Sequence, residues 1–320
     1  MTQIFVSRPL PDQVLDAARA LGTLTVRDSN APLTPDELRQ SLRDYDVVLP
    51  TLGDMFAAEV FADVPTPKCG LLANFGVGYN HIDVQAAKAA GVVVTNTPGA
   101  VTDATADIAM TLMLMSARRA GQGERLVRAG KWQGWHPTQM LGMHLSGKTV
   151  GIVGMGRIGT AIAQRCHFGF GMNVLYYNRS KKTLPFVATQ LADLADLAHQ
   201  ADVLVMAVPS GAATWHLANS EVFAAMQPHA HFINISRGDV VDEAALIRAL
   251  QEGQIAGAGL DVYEQEPHVP EALIAMENVT LLPHLGTAAL EIRAGMGLMA
   301  VENIKAFLGN ATPPNLVLHT

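Results

Sequence analysis

Two residues in the second half of the chain combine a reactive side chain with a position soon after an apolar segment. Arg237 follows Phe232 to Ile235, and His284 follows Val279 to Leu282. A guanidinium can hold a carboxylate through two parallel hydrogen bonds, and an imidazole can give or take a proton near neutral pH. If both segments are strands of one parallel sheet, the two side chains lie at its carboxyl edge, where ligands bind. The two would then suit protonation of an oxygen on an anionic substrate.

Acidic residues near these positions leave more than one interpretation open. Glu264 and Glu266 both precede the histidine, and either carboxylate could orient the ring and favour its protonated form. Residue types alone do not choose between the two glutamates. Arg237 could also be a surface arginine paired with Asp239 or Glu243. The chain has 11 histidines, and this one is singled out because a proline and a glycine flank it in a turn.

A glycine-rich turn predicts where a dinucleotide binds. The apolar run Thr149 to Val153 leads into Gly154-Met155-Gly156-Arg157-Ile158-Gly159, and a helix-like segment, Thr160 to Cys166, follows. The first glycine permits a tight turn, the second lets a pyrophosphate approach the backbone, and the third lets the helix pack closely on the strand. Free N–H groups at the helix start would point at the phosphates. Because another strand pattern follows at Asn173 to Tyr177, the context is that of a Rossmann fold.

The turn after that second strand bears on the choice of cofactor. It reads Asn178-Arg179-Ser180-Lys181-Lys182. In NAD-binding domains an acid about 20 residues beyond the glycines accepts the ribose 2′-hydroxyl. Here Asn178 replaces the acid and basic residues follow. Such runs are usually solvated surface charge, but at this position a basic turn should attract a 2′-phosphate, which favours NADP over NAD.

Strand and helix patterns alternate along the chain, which predicts parallel sheets with helical crossovers. Thr34 is a predicted N-cap, since a proline and two acids follow it. The other predicted strands are Ile4 to Val6, Leu24 to Arg27, Val47 to Pro50, Leu71 to Phe75, Val92 to Thr95, Asp202 to Val208 and Ile255 to Leu260. The predicted helices include Asp12 to Leu21, Ile82 to Ala90, Asp103 to Arg118, Glu124 to Ala129, Asp242 to Glu252 and Ala288 to Leu308.

A chain of 320 residues is long for one core, so two domains are expected. The last helix follows the final strand of the dinucleotide-binding part and must pack elsewhere, for which a return to the first part is the simplest solution. We therefore expect a discontinuous substrate-binding domain, 1–98 plus 287–320, and a dinucleotide-binding domain, 99–286.

Composition excludes several classes of function. Apolar residues make up 49% and charged residues 16%, as in an ordinary globular protein, and the net charge of −7 argues against binding nucleic acid or anionic membranes. The two cysteines, Cys69 and Cys166, form no CxxC pattern, so neither a disulfide framework nor a metal site is predicted. The N-terminus lacks the pattern of a signal peptide, and we expect a cytoplasmic protein.

Five segments in order resemble the D-2-hydroxyacid dehydrogenases, closest to their NADP-dependent glyoxylate/hydroxypyruvate reductase branch. Besides the glycine turn they are Asn74-Phe75-Gly76-Val77-Gly78-Tyr79-Asn80, Asn234-Ile235-Ser236-Arg237-Gly238, Leu260-Asp261-Val262-Tyr263-Glu264-Gln265-Glu266-Pro267 and Pro283-His284-Leu285-Gly286. The resemblance covers most of the chain. It implies an α/β fold of two doubly wound parallel-sheet domains, a flavodoxin-like substrate domain and a Rossmann cofactor domain, with a cleft between them. It also implies a homodimer.

The resemblance assigns roles to individual residues. Arg237 would bind the carboxylate and carbonyl oxygen of a 2-oxo acid, and His284 would be the acid/base. The family places the partner acid directly before a proline, which selects Glu266. The backbone N–H groups of Val77 and Gly78 would bind the substrate carboxylate.

Further contacts are implied less directly. Leu52 would limit substrate size, and Trp135, which with Trp132 lies in an irregular segment, would reach the active site of the partner subunit. Packing between domains is the alternative for the two tryptophans. The implied cofactor contacts, beyond the glycine turn and Asn178 to Lys181, are Thr105, Val208, Pro209, Thr214, Ile235, Ser236, Arg237, Asp261, His284 and Gly286.

The implied activity is NADPH-dependent reduction of small 2-oxo acids, such as glyoxylate and hydroxypyruvate, to D-2-hydroxy acids. Rivals of the same fold are a dehydrogenase for bulkier 2-oxo acids, a formate- or phosphite-type dehydrogenase, a phosphoglycerate dehydrogenase and a non-catalytic dinucleotide sensor like the corepressors that share the fold. Formate enzymes pair the histidine with a glutamine, so Glu266 disfavours them. The sequence leaves the physiological substrate and the direction of flux open.

Overall fold

The computed structural model describes residues 1–317 and divides into two compact units. Unit 1 comprises Met1–Val101 and the chain from Ala288 onward, and unit 2 comprises Thr102–Thr287. Each unit has its own parallel sheet, with five strands in unit 1 and seven in unit 2. The prediction of two parallel-sheet α/β domains is therefore confirmed.

The first part of unit 1 alternates short strands and helices. In chain order they are β1 (Gln3–Val6), α1 (Asp12–Arg19), β2 (Thr23–Val26), α2 (Pro35–Asp44), β3 (Val47–Leu49), α3 (Ala58–Ala62), β4 (Leu71–Ala73), α4 (Val84–Ala89) and β5 (Val93–Thr95). The strand order is β2-β1-β3-β4-β5, all parallel. Helix α2 begins in a capping box, in which the Thr34 side chain accepts from the Glu37 N–H and the Glu37 side chain accepts from the Thr34 N–H.

Unit 2 contains the longer sheet. Its elements are α5 (Thr102–Ala117), α6 (Ala120–Arg128), β6 (Thr149–Val153), α7 (Arg157–Gln164), β7 (Asn173–Tyr177), β8 (Thr189–Leu191), α8 (Leu194–Gln200), β9 (Val203–Met206), α9 (Ser220–Ala225), β10 (His231–Asn234), α10 (Glu243–Gln251), β11 (Gly257–Leu260), α11 (Glu271–Ala275) and β12 (Val279–Leu281). The parallel order is β12-β11-β10-β9-β6-β7-β8. Strand order reverses between β6 and β9, the topological switch point at which dinucleotides bind in this architecture.

The final helix, α12 (Leu290–Leu308), returns to unit 1. It packs against α1 and β4, and its residues Ala300 and Ile304 join the apolar cluster formed by Ile4, Val6 and Leu71. The apolar residues of this helix thus complete the core on one face of the five-stranded sheet.

The helix after the glycine turn differs from its predicted bounds. It begins at Arg157, three residues earlier than predicted, and a short π-helical segment, Arg165–Gly169, continues it. Gly159 lies inside the first turn, where a glycine usually weakens a helix. It is needed there because a Cβ at Gly159 would lie 2.1 Å from the Gly154 carbonyl oxygen. Close packing of helix on strand therefore overrides local propensity.

Several short elements were not predicted, namely α3, α8, α9, α11 and β8. Each has seven residues or fewer. Segments of this length carry too few periodic positions to stand out in a sequence. In the part of the chain that the structure describes, no helix is long and apolar enough to cross a membrane.

Candidate active site

Three neighbouring strands bring the predicted catalytic residues to one edge of the sheet in unit 2. Arg237 follows β10, Glu266 lies in the segment after β11, and His284 follows β12. These strands are adjacent and parallel, in the order β12-β11-β10. Their carboxyl ends therefore meet at the same edge, which is where ligands bind in such sheets.

His284 and Glu266 form a direct pair. The imidazole Nδ1 lies 2.8 Å from Glu266 Oε2, and each side chain is slightly more than one-quarter exposed. His284 has a φ of +54°, a left-handed conformation that is unusual for a residue with a side chain. Since Nδ1 is engaged by the carboxylate, Nε2 is the ring nitrogen left for a substrate.

The turn that carries His284 is clamped by Asp261. The His284 N–H donates to the Asp261 carbonyl oxygen at 3.0 Å. The two carboxylate oxygens of Asp261 accept the N–H groups of Leu285, at 2.6 Å, and Gly286, at 2.8 Å. The Thr105 hydroxyl donates to the Gly286 carbonyl oxygen at 3.1 Å. Burial raises the pKa of Asp261, and these backbone hydrogen bonds and the His284 charge partly offset that effect.

Glu266 remains a carboxylate although it is partly buried. Burial by itself would raise its pKa, but the hydrogen bond and charge of His284, the Tyr263 N–H and the charge of Arg237 together lower the pKa below its usual value of 4.5. The Tyr263 N–H donates to Glu266 Oε1 at 3.1 Å, and the Tyr263 hydroxyl donates to the Leu282 carbonyl oxygen at 2.8 Å. Tyr263 therefore joins the acid segment to the end of β12.

The turn that carries Arg237 is held by Asn234. The Asn234 carboxamide accepts from the Ser236 N–H at 3.0 Å and donates to the Arg237 carbonyl oxygen at 3.0 Å. The guanidinium itself donates to the Ser236 carbonyl oxygen at 2.6 Å. Burial lowers the pKa of Arg237, and the charges of Glu266 and Asp239 oppose that shift. A partly buried cation beside a carboxylate–histidine pair is suited to hold an anionic substrate.

The other glutamate that the sequence left open has a different partner. Glu264 Oε1 lies 2.7 Å from His216 Nε2, and the Glu264 N–H donates to Glu243 Oε1 at 2.9 Å. Burial raises the pKa of Glu243. Glu266 rather than Glu264 therefore lies against His284. The His216–Glu264 pair was not predicted, since 48 residues separate its members and neither lies in a shared local pattern.

The glycine turn has the features that a dinucleotide pyrophosphate requires. Gly154 has a φ of +98°, and a Cβ there would lie 2.6 Å from the Ala207 carbonyl oxygen. A Cβ on Gly156 would meet no atom within 4 Å among the described residues, so space opens beside this backbone. Gly156 is the N-cap of α7 and offers no side chain to its first N–H groups. Arg157 is exposed and Ile158 half-buried at this helix start.

Asn178 joins the glycine turn to the basic turn. Its Oδ1 accepts the Met155 N–H at 3.1 Å, and its Nδ2 donates to the Ser180 carbonyl oxygen at 2.7 Å. Arg179, Ser180 and Lys181 are exposed. Within residues 1–317, neither Arg179 nor Lys181 forms an ion pair with an acidic side chain. Within the described residues this turn therefore presents two cations beside the glycine turn that no acidic side chain pairs with.

Most of the remaining predicted cofactor residues of unit 2 follow strands at the same edge, whereas Thr105 lies in α5. Val208 and Pro209 follow β9, with Val208 half-buried and Pro209 exposed, and the Thr214 hydroxyl donates to the Pro209 carbonyl oxygen at 2.7 Å. Ile235 and Ser236 follow β10 and are buried. The side chains of Asp261 and Thr105 form hydrogen bonds with the backbone of Leu285 and Gly286, in the turn that carries His284.

The predicted substrate residues outside this edge are placed as follows. In unit 1, Leu52 follows β3 and is 45% exposed, and Val77 and Gly78 lie in a half-buried loop after β4. In unit 2, Trp135 is 80% exposed and Trp132 is 53% exposed, in an irregular segment between α6 and β6.

An α/β unit with this glycine turn, together with an arginine and a histidine–glutamate pair at its carboxyl edge, defines a dinucleotide-binding domain of the dehydrogenase type. Residues 110–286 match the family described as D-isomer specific 2-hydroxyacid dehydrogenase, NAD binding domain. The chain belongs to the D-isomer specific 2-hydroxyacid dehydrogenase family.

Individual relatives resemble the chain over its whole length. The glyoxylate reductase of Thermococcus kodakarensis is 40% identical over 321 residues, covering 98% of this chain and 96% of the relative. A protein of solved structure from Thermus thermophilus is 40% identical with a TM-score of 0.91, covering 99% of this chain and all of the other. The NADPH-dependent glyoxylate/hydroxypyruvate reductase of Sinorhizobium meliloti, solved with NADP and malonate, is 36% identical with a TM-score of 0.86, covering 99% and 96% of the two chains.

Proposed function

We propose that the protein is an NADPH-dependent reductase of small 2-oxo acids, with glyoxylate and hydroxypyruvate as substrates and D-2-hydroxy acids as products. The observation that carries the proposal is the arrangement of Arg237, Glu266 and His284 after adjacent strands of unit 2, with the His284–Glu266 pair at 2.8 Å. The substrate named for relatives such as the Thermococcus enzyme supports the choice of glyoxylate.

The basic turn supports NADP as the cofactor. Asn178 stands where an NAD enzyme carries an acid, and Arg179 and Lys181 are exposed beside it. The glycine turn, residues 154–159, would hold the pyrophosphate on the N–H groups at the start of α7. When bound, NADPH supplies the hydride that reduces the carbonyl carbon.

The side chains of unit 2 supply binding and the proton. Arg237 binds the substrate carboxylate and polarises the carbonyl oxygen, whose negative charge grows as the carbon is reduced. His284 donates the proton on Nε2 to that oxygen, which completes the hydroxyl group of the product. Glu266 holds Nδ1 at 2.8 Å, fixes the ring orientation and favours the protonated imidazole. In the reverse direction the neutral ring accepts the hydroxyl proton.

Unit 1 contributes to substrate binding in this proposal. The N–H groups of Val77 and Gly78 bind the substrate carboxylate, and Leu52, exposed in the loop after β3, limits the size of the group attached to the carbonyl. A small side chain on the substrate is thereby favoured over a bulky one.

We further propose that the protein is a homodimer and that Trp135 extends toward the active site of the partner subunit. Helix α6 has no buried residue, and the segment after it exposes Trp132, Trp135 and Leu141 by more than half. Large exposed aromatic side chains are favoured anchors at interfaces.

The test is a spectrophotometric assay of NADPH oxidation at 340 nm with a panel of 2-oxo acids that runs from glyoxylate to bulkier, branched compounds. We expect the highest kcat/KM for glyoxylate or hydroxypyruvate and loss of turnover in His284→Ala with NADPH binding retained. Turnover only of bulky 2-oxo acids would contradict the substrate assignment. NADPH binding without turnover of any 2-oxo acid would indicate a dinucleotide sensor instead.

A further inference from the structure

In the loop that follows β4, each of three successive carbonyl groups, those of Gly76, Val77 and Gly78, accepts a hydrogen bond. The Asn74 Nδ2 donates to the carbonyl oxygens of Gly76, at 3.2 Å, and Gly78, at 3.0 Å. The Asn96 Nδ2 donates to the Val77 carbonyl oxygen at 2.9 Å. The Thr97 N–H donates a further hydrogen bond to Gly76 O at 3.0 Å. No carbonyl in the turn from Gly76 to Gly78 is therefore free to rotate outward.

These bonds determine where the N–H groups of the loop point. In a trans peptide the carbonyl of one residue and the N–H of the next lie in one plane and point in opposite directions. Fixing the carbonyl of Gly76 therefore turns the Val77 N–H to the opposite side, and fixing that of Val77 does the same for Gly78. Among residues 1–317, neither of these two N–H groups has a hydrogen-bond acceptor.

Both asparagines are themselves held in place by hydrogen bonds. Asn74 is fully buried, and its Oδ1 lies 3.0 Å from Nε2 of the buried His81, which leaves Nδ2 facing the loop. The backbone of Asn96 is held at both ends, because its carbonyl oxygen accepts from Asn303 Nδ2 at 3.3 Å and its N–H donates to the Asn315 carbonyl oxygen at 3.2 Å. Asn303, on α12, is fully buried.

We propose that Asn74 and Asn96 are positioning residues for substrate binding, which hold the Val77 and Gly78 N–H groups in the orientation that accepts the carboxylate of a 2-oxo acid. The inference rests on the proposed function for the identity of the anion, and on unit 1 alone for its geometry. Neither asparagine touches the substrate. Each acts by preorganising a backbone donor, which lowers the cost of ordering the loop when the anion binds.

Substitution of Asn96 tests the proposal. In Asn96→Ala the Val77 carbonyl loses its donor, and in Asn96→Asp, of nearly equal size, an oxygen would face that carbonyl at about the present 2.9 Å. We expect KM for glyoxylate to rise about 3- to 10-fold in the alanine variant and further in the aspartate variant, the range that one lost backbone hydrogen bond allows. We expect kcat to change less than about twofold and NADPH affinity to be unchanged, since binding in the ground and transition states is weakened equally.

A matched control comes from the same loop. Asn80 is exposed, and within the described residues its carboxamide forms no hydrogen bond, so Asn80→Ala should keep the wild-type KM. Wild-type KM in both Asn96 variants would overturn the proposal. A fall in kcat with unchanged KM would also overturn it, because the loop would then act on the chemical step.

A binding measurement separates this proposal from the proposed function. The wild-type protein, saturated with NADP⁺, is titrated with sodium oxalate while the amide NMR signals of Val77 and Gly78 are followed. We expect saturable shifts of both signals in wild type and at least about threefold weaker binding in Asn96→Asp. If wild type fails to reduce glyoxylate but shows these shifts, the proposed function fails and the anion-binding loop stands. If the two amide signals do not respond to oxalate, the inference is wrong.

Discussion

Replacing Glu266 by glutamine tests the role of the carboxylate in proton delivery. In wild type, His284 Nδ1 lies 2.8 Å from Glu266 Oε2. The glutamine keeps the shape of the side chain and a hydrogen-bond acceptor near Nδ1, but it removes the negative charge. In the proposed mechanism reduction requires the protonated ring of His284, so kcat should fall as the pH rises. Without the carboxylate the protonated ring is less favoured, and kcat in Glu266→Gln should fall at a lower pH than in wild type.

A hydrogen bond to a charged group contributes about 1.5–3 kcal/mol, so at a pH where the wild-type rate has begun to fall, kcat in Glu266→Gln should be about 10- to 150-fold lower. At acidic pH the group that changes its charge is Glu266 itself, and the ion pair is lost as the pH falls. The pKa of Glu266 lies below its usual 4.5, so in wild type the carboxylate is present above that range and is lost only as the pH falls through the lowered pKa. The contribution of the ion pair to stability is lost over the same acidic range.

The assay is kcat for glyoxylate reduction against pH, with a deuterium isotope effect from deuterated NADPH to establish that hydride transfer limits the rate. Glu264→Gln is the matched control, because it makes the same chemical change two residues away, where the carboxylate pairs with His216 at 2.7 Å. Its pH midpoint should equal that of wild type. An unshifted midpoint in Glu266→Gln, or an equal shift in Glu264→Gln, would refute the reasoning.

Three further predictions concern other parts of the chain. Arg179→Ala should reduce the preference for NADPH over NADH in kcat/KM by about 10- to 150-fold, the value of one charge-assisted hydrogen bond, and equal use of both cofactors by wild type would contradict it. Gly238→Ala should lower the free energy of unfolding in urea by about 1–3 kcal/mol, because its Cβ would lie 1.9 Å from the Tyr263 carbonyl carbon. Gly295→Ala is the control, since a Cβ there meets no atom within 4 Å in the described structure, and this variant should be neutral or stabilising. Trp135→Ala should raise KM for glyoxylate or alter substrate preference, and wild-type values for both would exclude a role in trans.

The elements with strong periodic patterns were predictable from the sequence. The strand before the glycine turn and the strand Asn173–Tyr177 lie where the pattern placed them, and the fold class is confirmed. Other strand ends were predicted too long. The strand from Leu71 was expected to reach Phe75 but is continuous only to Ala73, and Phe75 pairs with Thr51 as an isolated bridge beyond it. Hydrophobicity continues through this segment, so an apolar pattern does not mark the residue at which continuous pairing stops.

The contacts within the site were harder to predict from the sequence than the strands and helices. The physics of residue types left Glu264 and Glu266 equivalent, and only the family pattern distinguished them, whereas in space they face different histidines. Asp261 was expected among the cofactor contacts, and its two carboxylate oxygens accept from the His284 turn. Such bonds join residues 24 and 25 positions apart, so their pairing depends on tertiary structure rather than on any local spacing.

The two hydrogen bonds of Asn178 constrain how cofactor preference could be changed by design. An aspartate at this position would supply the acid that a ribose 2′-hydroxyl prefers, and it would still accept the Met155 N–H. It could not donate to the Ser180 carbonyl oxygen, now 2.7 Å away, and would place a negative charge against that oxygen. Changing the proposed NADP preference toward NAD would therefore require the whole turn from Asn178 to Lys182 to be redesigned together, because a library that varies single positions would pass through variants with a disrupted turn.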